Sequence, residues 1–64
     1  MTLTEFRART VEAFGSFRAD HLVRSHHLGA FDGRTAEEAI DAGAPVKQVW
    51  MALCAEFEVP DSLR

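Results

Sequence analysis

The stretch PVKQVWMALCAEF, residues 45–57, leaves this chain little choice of fold. Pro45 suits a first helical position, and Val46, Val49, Trp50, Leu53 and Phe57 follow at the spacing that lines one side of an α-helix. A helix with so continuous an apolar stripe must bury it against other elements of the same domain. Val59 and Pro60 close the segment, because the residue before a proline disfavours the helical region.

Three further helical patterns are available to cover the stripe, and no segment reads as a convincing strand. Thr2 and Glu5 have the spacing of a capping box, in which each side chain satisfies a free backbone N–H at a helix start. In the first helix that follows, Leu3, Phe6, Thr10, Ala13, Phe14 and Phe17 share one face, with Glu5 and Arg9 as an exposed i,i+4 pair. Gly15 offers a stop and Ser16 a new N-cap. The second helix is expected from about Phe17 to Leu28, with Ala19, Leu22, Val23 and His26 on one side, the Asp20 and Arg24 pair on the other, and Gly29 as its end. GAFDGR, residues 29–34, reads as a loop with Phe31 tucked inward. Thr35 and Glu38 repeat the capping-box spacing, so a short third helix should run from Ala36 to about Ala42 and finish at Gly43. The expectation is one small all-α domain over residues 1–64, with four short helices around Phe6, Phe14, Phe17, Leu22, Ile40, Val49, Trp50, Leu53 and Phe57.

Size and charge narrow the function. A chain of 64 residues buries roughly 60% of its unfolded surface and has difficulty enclosing a ligand pocket of several hundred Å³. The lone Cys54 excludes an intramolecular disulfide, and MTLTEFRART has no apolar run suited to a signal peptide or a membrane span, so the expected location is the cytoplasm. The net charge of −3 argues against a general nucleic-acid binder, which needs clustered Lys and Arg. The charge is also uneven. Residues 1–34 carry +1, with Arg7, Arg9, Arg18, Arg24 and Arg34 against Glu5, Glu12, Asp20 and Asp32. Residues 35–64 carry −4, with Lys47 and Arg64 against Glu37, Glu38, Asp41, Glu56, Glu58 and Asp61.

Ala39, Gly43 and Val49 fall where a DNA-reading helix-turn-helix places its close-approach residue, its left-handed turn and its anchor. Two features oppose that reading. Glu38 stands where such motifs bury a residue, and Lys47 and Gln48 are the main polar groups the second helix could offer to bases or phosphates. The segment is expected to be an architectural corner, with Gly43 at a positive φ and Trp50 turned into the core.

Catalytic and metal chemistry have little support. His26 and His27 are adjacent, hence about 100° apart on a helix and poorly placed to share an ion, and His21 and Cys54 complete no zinc set. His26 reads as a core or interface histidine bonded to backbone, and Cys54 as a small buried thiol. Glu37 and Glu38 suit the first turn of a helix better than an acid/base pair. No Gly-rich phosphate loop or nucleophile elbow occurs. The chain is therefore expected to be a non-enzyme without cofactor or metal, with a protein partner and no membrane. Its candidate partner surface is Arg7, Arg9, Arg18, Arg24 and His27, the positive groups outside the apolar faces. The alternative is a helix-turn-helix DNA-binding protein.

The frame of Leu3 to Phe6, Phe14-Gly15, His26, Gly33-Arg34-Thr35, Ala39, Gly43, Val49-Trp50, Leu53-Cys54 and Pro60 resembles a family of short actinobacterial proteins, the domain of unknown function 3046. The resemblance spans nearly the whole chain and brings no activity or residue role with it. It implies a DNA-repair neighbourhood, because members are often encoded near the recombinase RecA and its regulator RecX.

Overall fold

The computed structural model describes residues 1–64. Four helices carry the fold: α1 (Leu3–Phe14), α2 (Ser16–Ser25), α3 (Ala36–Asp41) and α4 (Val46–Glu56). Between α2 and α3 the chain makes a small antiparallel hairpin of β1 (His27–Leu28) and β2 (Arg34–Thr35), in the register His27 to Thr35 and Leu28 to Arg34. Single 3₁₀ turns occupy Gly29–Phe31 and Asp61–Leu63.

Both capping boxes form. The Glu5 N–H donates to Thr2 Oγ1 at 3.1 Å and the Thr2 N–H to Glu5 Oε1 at 3.2 Å. At α3 the Glu38 N–H donates to Thr35 Oγ1 at 3.2 Å and the Thr35 N–H to Glu38 Oε1 at 2.9 Å. The corner after α3 is a Schellman turn: the Ala44 N–H reaches the Ala39 carbonyl at 2.9 Å and the Gly43 N–H the Ile40 carbonyl at 3.0 Å, with Gly43 at φ 99°. Pro45 stands at the N-cap of α4 (φ −59°, ψ 128°), one residue ahead of the first helical position expected for it. Its carbonyl still accepts the first N–H bonds of the helix, from Gln48 and Val49.

The core is the α4 stripe and what covers it. Val49, Trp50, Leu53 and Cys54 are buried against Phe6 of α1, Leu28 of β1, Ala36 and Ala39 of α3, and Val59 beyond α4. Phe6 meets Trp50 edge to face at 6.4 Å between ring centroids, and Leu22 of α2 is also buried. Phe14, Phe31, Ile40 and Phe57 pack on this core while remaining partly exposed.

Four expectations need correction. The second helix stops at Ser25, not Leu28, and the hairpin supplies strand where none was expected. His26 turns extended (φ −82°, ψ 124°), which lets β1 point Leu28 into the core and His27 out to solvent. Phe17 is not core: it is 94% exposed. Its spacing fits α1 only if that helix runs on through Gly15, yet Gly15 at φ 82° breaks it and resets the phase. Counted within α2, Phe17 lies roughly 140–200° around the axis from the buried Ala19 and Leu22. Leu3, on the same expected face, is exposed as well.

Candidate interaction surface

Gly15 is the single residue between α1 and α2, so the two helices fold back sharply on each other and Phe17 is held in the first turn of α2. Leaving a whole phenyl ring in water forgoes about 2 kcal/mol of burial free energy. For a domain this small that is a large omission.

Around the helix from Phe17 toward α3, a groove of about 520 Å³ opens between α1, α2 and α3. Leu3, Val11, Val23 and Ile40 give it an apolar lining. Arg7 and Arg24 stand over it together with the carboxylates of Asp20, Glu37 and Asp41. Arg24 Nε lies 3.0 Å from Asp20 Oδ1 and 3.8 Å from Glu37 Oε2, so one guanidinium ties α2 to α3. These pairs are solvent-exposed and contribute little to stability.

Of the five residues proposed from sequence as a partner surface, Arg7 and Arg24 share this groove. The other three lie elsewhere. Arg9, two residues after Arg7 and hence on the other side of α1, faces α4. Arg18 lies over the Phe14 and Phe57 rings, 6.0 Å from each centroid, a cation–π arrangement that covers apolar surface with its stem. His27 Nδ1 sits 2.6 Å from the Gly33 carbonyl oxygen, so that nitrogen bears a proton and donates it across the hairpin.

His26 departs from the expected backbone bond. Its Nε2 is 2.7 Å from Glu56 Oε1, and its ring packs on Phe57 at 4.7 Å, which itself meets Phe14 at 5.7 Å. The pair joins the end of α2 to the end of α4. Thirty residues separate its members, and no local sequence signal marks Glu56 as the partner. Cys54 is a buried free thiol, as expected, and burial pushes its pKa up. No three His, Cys, Asp or Glu side chains converge closely enough to hold a metal ion. At the corner Val49 is fully buried and Trp50, turned into the core as expected, is only 3% exposed. Lys47, Gln48 and Met51 face solvent there.

These features define a small four-helix domain, closed by a short hairpin, with a mixed-charge groove and a solvent-facing phenylalanine beside it. No helix is long and apolar enough to cross a membrane. The family described as Protein of unknown function (DUF3046) matches residues 1–62, and the chain belongs to it. No curated protein and no solved structure matches the chain.

Proposed function

We propose that this protein is a non-enzymatic interaction module, acting in the cytoplasm, that docks on another protein through the α1–α2 face. The observation that carries the reading is Phe17, a large apolar side chain presented almost entirely to solvent at a fixed helix start. Interface energy concentrates in a few apolar or aromatic anchors ringed by polar groups. Phe17, with the apolar groove and its Arg7 and Arg24 rim, has that composition. Arg24 already pairs with Asp20 and Glu37 within the domain, so it supplies orientation more than affinity. The repair neighbourhood implied by family resemblance makes a recombination protein the first partner to test.

The test is affinity capture from native lysate with the wild-type chain and with Phe17→Ala. A specific partner should be retained by the first and lost with the second, while circular dichroism shows the same fold. Equal capture by both removes this face from the function.

The helix-turn-helix alternative draws support from the corner itself, since Ala39 and Val49 are buried and Gly43 has the required φ. The start of α4 weakens it, because Lys47 and Gln48 are the polar groups that its first turn offers to bases and phosphates. A gel shift at low salt separates the readings: sequence-selective retardation abolished by Lys47→Ala with Gln48→Ala supports DNA reading.

A further inference from the structure

A second groove, of about 460 Å³, lies between α1 and α4. Met51 and Ala55 of α4 form its exposed apolar side, above the buried Trp50 and Cys54. Met51 is 58% exposed. Its charged lining side chains are Arg9, Lys47 and Arg64, with no carboxylate side chain among them. That is the reverse of the chain's average, since the net charge is −3 and the half that contributes α4 carries −4. Neither Arg9 nor Lys47 takes part in a salt bridge: the Glu5–Arg9 pair expected from their spacing does not form, because Glu5 turns back to cap Thr2. Arg64 is partly engaged, donating from Nε to the Val59 carbonyl at 3.1 Å and lying 3.8 Å from Asp61 Oδ1.

Unpaired cations beside an apolar strip favour a ligand with carboxylates and an aliphatic group. The exposed thioether of Met51 suits the aliphatic part, because an unbranched, polarizable side chain adapts to irregular partners. Single-stranded nucleic acid would use the cations but needs an aromatic face on which to stack bases. The one aromatic ring here belongs to Trp50, which is buried and packed on Phe6.

We propose that the α1–α4 groove binds a short acidic peptide segment of a partner protein, with an aliphatic side chain over Met51 and Ala55 and carboxylates on Arg9 and Lys47. The site is separate from the Phe17 face and does not depend on it. A contact this small belongs with weak, transient encounters.

The test is an NMR titration of the isotope-labelled protein with a short capped peptide carrying a central leucine flanked by glutamates. Saturable shifts should centre on the amides of Lys47, Met51 and Ala55, weaken with added salt, and persist in Phe17→Ala. Lys47→Glu, at an exposed position that leaves the core intact, should weaken binding about tenfold, whereas Lys47→Arg should retain it. The proposal is overturned if the peptide produces no saturable shift, if Lys47→Glu binds as well as wild type, or if a lysine-flanked peptide binds equally. It is also overturned if an oligothymidylate occupies the same amides more tightly than the peptide.

Discussion

Glu58 occupies a backbone conformation that the chain gives to glycine at its other helix corner. At φ 53° it ends α4 as Gly43 ends α3, and the Val59 N–H reaches back to the Cys54 carbonyl at 2.9 Å in the same six-to-one pattern. A side chain in the left-handed region costs about 1–2 kcal/mol, of which glycine's extra freedom when unfolded takes back about 0.5–1 kcal/mol. Glu58→Gly should therefore raise stability by roughly 0.5–1 kcal/mol, visible as a higher urea midpoint. Gly43→Ala should lower it by about 1 kcal/mol, for conformational reasons alone, since an added Cβ meets no atom within 4 Å. An unchanged midpoint in both variants would show that neither corner stores the strain assigned to it. Cys54 permits a separate check. Burial holds the thiol neutral and covered, so a thiol-specific reagent at neutral pH should label the native protein far more slowly than the urea-unfolded chain. Equal labelling rates would contradict that burial.

At the scale of elements, the two capping-box helix starts were legible; Gly15, not Ser16, caps α2, Pro45 caps α4 instead of opening it, and the connections were not legible. Thr2 with Glu5 and Thr35 with Glu38 announce α1 and α3 because a capping box is a local device whose partners lie three residues apart. The hairpin has no such local origin. His27 and Leu28 turn extended so that Leu28 fills the core, and that demand belongs to the packed molecule. The His26–Glu56 pair is likewise tertiary; Arg7 and Arg9 part by their two-residue spacing on α1, whereas Arg18 and Arg24 are placed by the Gly15 break and His27 by the hairpin. The caps have a pH consequence. Hydrogen bonds from the Thr35 backbone N–H and then its side chain hold the Glu38 carboxyl below its ordinary value of 4.5, and Thr2 does the same for Glu5. With folded values depressed, the unfolded chain binds more protons in acid, so the caps contribute stability above that value and lose it as pH falls through the folded values. Urea midpoints should decline from about pH 6 to about pH 3, and less steeply in the double variant Glu5→Gln with Glu38→Gln. Thr35→Ala should cost about 1 kcal/mol at neutral pH. Identical acid profiles for the wild type and the double variant would assign the decline to other carboxylates.

The whole molecule turns on two aromatic residues that the apolar pattern assigns alike to the core and that the structure separates. Only 13 of 64 residues are buried, so each buried side chain carries a large share of the stability. At roughly 0.05–0.15 kcal/mol per residue, a domain of this length has about 3–10 kcal/mol in total. Trp50 bridges α4 to α1 through Phe6, and replacing so large a buried ring by a methyl group costs about 3–5 kcal/mol in lost burial and residual cavity. Trp50→Ala should accordingly unfold the protein or leave it without a cooperative thermal transition. Phe17→Ala removes a ring that touches mainly water, and should change stability by less than about 0.5 kcal/mol. Thermal melts followed by circular dichroism decide between the two positions. A Trp50→Ala protein melting at the wild-type temperature would mean that the α4 stripe does not organise the core, whereas a Phe17→Ala protein that loses its fold would mean that Phe17 is structural and cannot serve as a partner anchor.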